Sequence, residues 1–343
     1  MKKKFYLVLI LVFLLLSTNV VFGWSSHSHP CLGFEAAQDD KMPPETQTRQ
    51  YPNANNGPDL CFFIIGEVEF AHSNIEFANT MVSIAQSVQL PLLKDQMLTL
   101  AYGWGSHIKA DDIAHKQMLV GLDEIEHGLV ELAVDWWLWN EGTSEQQDYA
   151  KNANVAWSGW LIWKTSIAFG ERVISPSEAN DAGTAFSKVI LGEAIIMMAP
   201  NFYDRAKEYS DNTRKLLEGN AWQSYYGDSV VNVQEWFWAF EAKQIQTSKS
   251  PSRDFLSLYK TIGEAAINKG GAQLTETKDE YLTEVQLQIK DKDLCLKALK
   301  EVLTQKQKGA ESSIQKEFAE VLYQILFQGQ KPSTNWGFLK RDF

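Results

Sequence analysis

The chain reads as an all-α protein, and three observations carry that reading. Apolar residues recur at spacings of three and four over most of its 343 residues. No run of alternating residues with hairpin turns stands out. The prolines fall where helices stop, several of them gathered in one early loop.

The elements follow in order. Residues 1–23 read as an export signal: Lys2, Lys3 and Lys4, an apolar run from Phe5 to Leu16, then Val21-Phe22-Gly23 where a signal peptidase reads small residues. That run is shorter than the roughly 20 residues a spanning helix needs. A polar lead after Trp24 gives way to a helix over 31–40. Residues 41–60 form a loop, because Pro43, Pro44, Pro52, Gly57 and Pro58 forbid a long helix. A helix over 73–89 carries Ile75, Phe77, Ala78, Met81, Val82 and Ala85 on one face, and Pro91 ends it. Helices over 92–119 and 123–140 are separated near Gly121. Further helical periods cover 150–172, 177–198, 203–218 and 231–243.

Residues 246–253, with three Ser, one Lys and one Pro, form the best linker. They divide a region of 24–245 from a helical extension of 254–343. Removing the leader leaves 29 basic residues against 43 acidic ones, a formal charge of −14. That balance argues against a nucleic-acid partner, whose proteins normally show a basic face. Cys31 and Cys61 bracket the Pro-rich loop and could pair, leaving Cys295 free; three buried thiols are the alternative. With the leader, this composition points to a secreted protein or one in an extracytoplasmic lumen.

The chemistry concentrates in the histidines. All six lie between His27 and His127. His107, Asp111 and His115 follow one another at spacings of four, and His127 and Glu131 repeat that spacing. Residues four apart share one face of a helix, so each set forms a stripe. His115 lies about 12 Å along the axis from His107, too far for one ion, and Asp111 between them can bridge two. Neutral imidazoles with carboxylates suit zinc or a similar first-row metal. Asp135, one turn beyond Glu131, reads as a ligand, a partner orienting an imidazole, or a surface residue. Asp112 and Asp123 read as solvent-facing or capping groups.

The run Gly105-Ser106-His107-x3-Asp111-x3-His115, followed by His127-x3-Glu131, resembles the zinc-dependent phospholipase C family. Within it, the short gap between Asp111 and His115 is most similar to the catalytic domain of glycosylphosphatidylinositol-specific phospholipase D. Gly57-Pro58-Asp59 resembles the family's loop carrying a catalytic Asp, and Phe70-Ala71-His72 its next histidine ligand. Trp24 resembles a terminal Trp ligand, and His29 the first-helix histidine, with His27 competing for that place.

The resemblance implies a multi-helix fold of the phospholipase C/D type over 24–245 and about three zinc ions. Asp59, His72, His107 and Asp111 would hold one ion; His115, His127 and Glu131 a second, with Asp111 reaching a neighbouring ion; His29 and the Trp24 amino and carbonyl groups a third. It implies hydrolysis of a phospholipid or glycosylphosphatidylinositol phosphodiester by metal-activated water, with Asp59 as base or orienting group. Contact with a membrane surface would accompany such a substrate. Trp136, Trp137, Trp139, Trp157, Trp160, Trp163, Trp236 and Trp238 would either line a lipid-facing surface or pack in the core. A zinc-dependent secreted nuclease and a non-catalytic zinc-stabilised binding protein are the competing readings.

Overall fold

The computed structural model describes residues 24–64, 69–239, 253–278, 281–310 and 312–328. The expected leader lies outside them, as does the linker apart from Arg253. Among the described residues, fifteen α-helices dominate, joined by a small three-stranded sheet.

Helix α1 (Ser28–Ala36) starts three residues earlier than its apolar pattern suggests. Pro30 therefore falls in the first turn, where a missing N–H breaks no intrahelical bond. The Pro-rich loop is more ordered than its composition implies. It contains a 3₁₀ turn (Pro44–Gln47), helix α2 (Gln50–Ala54) and a second 3₁₀ turn (Pro58–Phe63). Both 3₁₀ turns have Pro at the start, where its fixed φ is already helical.

Helices α3 (Glu69–Ser73) and α4 (Ile75–Gln86) follow, the latter capped by the Asn74 side chain, which accepts from the Glu76 N–H. Helix α5 (Pro91–Ile113) runs into a π turn (Ala114–Met118). Gly121, at φ +86°, closes the turn that follows. Asp123 then caps α6 (Glu124–Asn140) in a reciprocal box: its carboxylate accepts from Glu126 N, and Glu126 accepts from Asp123 N.

The segment expected as one helix over 150–172 is three elements: the end of α7 (Ser144–Lys151), strand β1 (Val155–Trp157) and α8 (Gly159–Phe169). After α9 (Pro176–Met197), the helix expected over 203–218 is broken into α10 (Phe202–Lys207) and α11 (Asp211–Leu217). Ser210 caps α11 by accepting from Thr213 N, and such a cap ends one helix as it starts another. Helix α12 (Trp222–Trp238) follows.

The C-terminal region opens with α13 (Arg253–Asn268) and then departs from the all-helical expectation. Strands β2 (Ala272–Lys278) and β3 (Thr283–Ile289) form an antiparallel hairpin before α14 (Lys292–Gly309) and α15 (Ser313–Tyr323). Strand β3 also pairs antiparallel with β1, Val155 opposite Val285, giving the order β1-β3-β2. The period-two pattern Val285-Gln286-Leu287-Gln288-Ile289 is visible in the sequence, but the turn before it lacks the Asn-Gly or Asp-Gly signal that marks tight hairpins.

One apolar core spans both regions, from Leu32, Phe77 and Leu132 to Phe255, Leu299 and Phe318. Each such side chain contributes roughly 1.5–3 kcal/mol by leaving water. Helices α9 and α13 cross so closely that a Cβ on Gly192 would lie 2.0 Å from Tyr259 O. Among the described residues, no helix is long and apolar enough to cross a membrane.

Candidate metal centre

Four elements bring the site residues together: α1 supplies His29, the second 3₁₀ turn Asp59, α3 His72, and α5 His107 and Asp111. Helix α2 approaches α5 at Gly103, where a Cβ would lie 2.4 Å from Ala54 Cβ. That approach puts the Asn55 carbonyl 2.8 Å from His107 Nδ1. A carbonyl only accepts, so Nδ1 carries the hydrogen and Nε2 of the neutral ring presents its lone pair.

His107 Nε2 faces Asp111 Oδ2 at 3.2 Å, His72 Nε2 at 3.1 Å and Asp59 Oδ1 at 3.5 Å. His72 Nε2 lies 3.1 Å from the same Asp59 oxygen. The rings of His29 and His107 stack at 3.9 Å between centroids. Two groups of three residues, His29–Asp59–His107 and His72–His107–Asp111, bring one ligand atom each within 4.8 Å of one another. Imidazole nitrogens and carboxylate oxygens converging in a buried space could hold a metal ion among them.

Asp111 divides its two oxygens. Oδ1 accepts from the Trp24 backbone nitrogen at 2.9 Å and faces His29 Nε2 at 3.2 Å. Oδ2 faces His107 Nε2 at 3.2 Å and His115 Nε2 at 3.8 Å. The carboxylate thus addresses different partners on its two sides, as a bridging ligand does.

The second set is looser. His127 Nε2 and Glu131 Oε1, one turn apart on α6, are 2.9 Å apart, while the His115 and His127 rings are 6.0 Å between centroids. His115 sits on the π turn, whose wider winding displaces it from the straight stripe expected of α5.

Electrostatics fit a cation-seeking site. Burial opposes ionisation of Asp111, yet His107 and His29 outweigh it and hold its carboxyl well below the usual range. Burial likewise opposes charge on His107, but Asp111 and Asp59 raise it above its ordinary value. Burial pushes His115 down to about 4 and lowers His29, keeping both rings neutral, as ligand imidazoles are. Burial, with nearby Asp111 and Glu193, holds Glu131 well above the usual carboxyl range. His29 Nδ1 and both nitrogens of His115 are buried without a hydrogen-bond partner, and His29 Nε2 meets Asp111 Oδ1 at 3.2 Å. Such groups are costly unless something coordinates them. The donor set of imidazole and carboxylate, with no thiolate among it, suits zinc.

The structure separates the two amino-terminal histidines. His27 Nδ1 and Nε2 lie 2.7 Å and 3.1 Å from the carbonyls of Ala150 and Ile190, so neither is left for a metal. His29 is the one turned toward Asp111. Asp135 is neither surface residue nor ligand to this cluster. It is fully buried and accepts from the Ser25 and Ser28 hydroxyls and the His27 N–H. Asp123 is the cap expected of it, whereas Asp112 is buried and paired with Lys116 at 2.8 Å.

For the cysteines, the structure takes the second of the two readings left open. Cys31 and Cys61 do not pair: all three cysteines are buried thiols, and Cys31 Sγ donates to the carbonyls of His27 and Gln146. The tryptophans differ in their settings. Trp157 and Trp222 are buried, Trp136 stacks on Tyr203, Trp137 meets Trp222 edge-on, and Trp238 is 48% exposed.

Glu193 was missed by sequence reasoning. It lies on α9, 2% exposed, with Oε2 unpartnered, and burial and Asp135 hold its carboxyl well above the usual range. A lone carboxylate inside the apolar run 190–199 is the signal that could have found it. The chain matches no protein-family profile, no curated protein and no solved structure.

Proposed function

We propose that the protein is a secreted zinc-dependent phosphodiesterase of the phospholipase C/D type, holding about three zinc ions and acting on a phospholipid or glycosylphosphatidylinositol. The observation that carries this reading is the convergence of His107 Nε2, His72 Nε2, Asp59 Oδ1 and Asp111 Oδ2 within 3.1–3.5 Å contacts. Asp59, His72, His107 and Asp111 would hold one ion, His115, His127 and Glu131 another, and His29 with Trp24 the third. When bound, the zinc ions would neutralise the phosphodiester charge and acidify a water molecule.

The chain's own groups divide the remaining work. Asp111 orients ligands on both of its oxygens. The Asn55 carbonyl fixes the tautomer of His107 and hence the direction of its lone pair. Asp59 has the most accessible side chain among the carboxylates of the centre, 12% exposed against 4% for Asp111 and 3% for Glu131. That access suits it to receive a proton from water at Oδ1 or Oδ2.

The test incubates purified protein with a glycosylphosphatidylinositol-anchored protein, phosphatidylcholine vesicles and single-stranded DNA, with and without chelator. Release of anchored protein or of a lipid headgroup, abolished by chelator and restored by zinc, supports the proposal. Hydrolysis of DNA alone would favour the nuclease, and no hydrolysis by the zinc-loaded protein would favour a binding role.

A further inference from the structure

We infer that Asp135 is a positioning residue: it anchors an amino-terminal strap, residues 24–28, that carries the Trp24 nitrogen and the His29 imidazole to Asp111 as one unit. The inference rests on the metal-centre reading above and assigns a task to a residue outside the ligand set.

The strap is held at every position. Trp24 Nε1 donates to Ser229 Oγ at 2.8 Å and to the Ala110 carbonyl at 3.2 Å, and its ring meets Tyr226 edge-on. The Ser25 hydroxyl donates to Asp135 Oδ2 at 2.6 Å, and the His27 N–H reaches the same oxygen at 3.2 Å. The Ser26 carbonyl accepts from Asn56 Nδ2 at 2.8 Å. His27 spans the carbonyls of Ala150 and Ile190, and the Ser28 hydroxyl donates to Asp135 Oδ1.

Asp135 alone takes three of these bonds, on both of its oxygens. It lies one turn beyond Glu131 on α6, so the helix that presents His127 and Glu131 also fixes where Trp24 and His29 arrive. Ser25 follows Trp24 directly, and Ser28 immediately precedes His29. Clamping both serines therefore leaves the Trp24 nitrogen and the His29 imidazole little freedom. Preorganisation of this kind typically changes metal affinity by roughly 10–100-fold. It also explains why a carboxylate is buried where it touches no other candidate ligand of the tight cluster: its lone pairs are spent on the strap.

The experiment measures zinc content by elemental analysis of purified mature protein dialysed against buffered zinc, together with the melting temperature of the metal-free form. Three proteins are compared: unaltered, Asp135→Asn, and the milder Ser25→Ala/Ser28→Ala double variant. The expected result is about three ions in the unaltered protein and loss of one ion in both variants, with at least a tenfold weaker affinity for the most loosely held zinc. A third ion retained at unchanged affinity in the double variant overturns the inference. So does a proportional loss of all ions that tracks a lowered melting temperature, because that would make Asp135 a part of the general core. If Asp135→Asn does not fold, the double variant decides between the same outcomes. At most one ion in the unaltered protein would overturn the metal-centre reading itself, a result distinguishable from failure of the strap.

Discussion

The two halves of the candidate centre differ in how they are built. Asp59, His72, His107 and Asp111 come from three elements that meet across the fold, and four contacts among their ligand atoms measure 3.1–3.5 Å. His115, His127 and Glu131 sit on either side of one turn, with His115 3.8 Å from Asp111 and 6.0 Å, ring to ring, from His127. The tight half is fixed from outside by backbone, above all by the Asn55 carbonyl on His107. The loose half depends on a π turn, and both nitrogens of His115 have no hydrogen-bond partner. The difference teaches that a stripe of ligands on one helix does not make one site. The long-range packing of α2 against α5 does more to define the centre than the four-residue spacing does.

The largest expected effect follows from removing the group both halves share. Asp111→Asn keeps the shape but loses the charge that faces Trp24 and His29 on one oxygen and His107 and His115 on the other. Zinc content should fall by two ions or more and hydrolysis by at least about 100-fold. Loss of only one ion would mean that Asp111 does not bridge.

A smaller contrast should separate the halves. His107→Ala should abolish binding of its ion, whereas His115→Ala should weaken zinc binding by roughly tenfold and leave the tight half loaded. Zinc titration of both variants checks this, and equal losses would erase the distinction.

The pH dependence of stability gives a third contrast. Burial holds Glu131 and Glu193 well above the usual carboxyl range; against burial, Asp111 and Asp59 hold His107 above its ordinary value. Above the ordinary imidazole range the folded, metal-free chain therefore binds more protons than the unfolded one, and its stability falls as pH rises through the raised folded-state values. Zinc binding strengthens over the same window because its ligands deprotonate. Melting temperatures should then slope downward for metal-free protein and upward, or level, for loaded protein; parallel slopes would contradict the assignment.

Away from the centre the effects should be on stability alone. Gly192→Ala forces a methyl against Tyr259 O and should cost about 1–3 kcal/mol in urea unfolding without changing zinc content. Lys116→Ala removes a half-exposed partner of Asp112 and should cost at most about 1 kcal/mol.

Much of the helical frame was legible because period and caps agree. Pro91, Asn74 and Asp123 mark boundaries that the structure places within a few residues of those expected. The pairing of the sheet was not legible, although β3 alternates: β1 is three residues long and pairs with a strand more than a hundred residues away, and local pattern carries no such information. The ligand candidates could be picked out because chemistry restricts them to few residue types. Their distances could not, since those depend on Gly103 admitting α2 and on the π turn moving His115. The strap was invisible for a similar reason. Ser25 and Ser28 are ordinary polar residues until Asp135 is found buried beside them.

The most direct test of the central claim is an anomalous difference map at the zinc edge from crystals of the purified protein. The account predicts three peaks: one among Asp59, His72, His107 and Asp111, one beside His115, His127 and Glu131, and one at His29 and the Trp24 nitrogen. No peak among Asp59, His72, His107 and Asp111 in zinc-saturated crystals would contradict it.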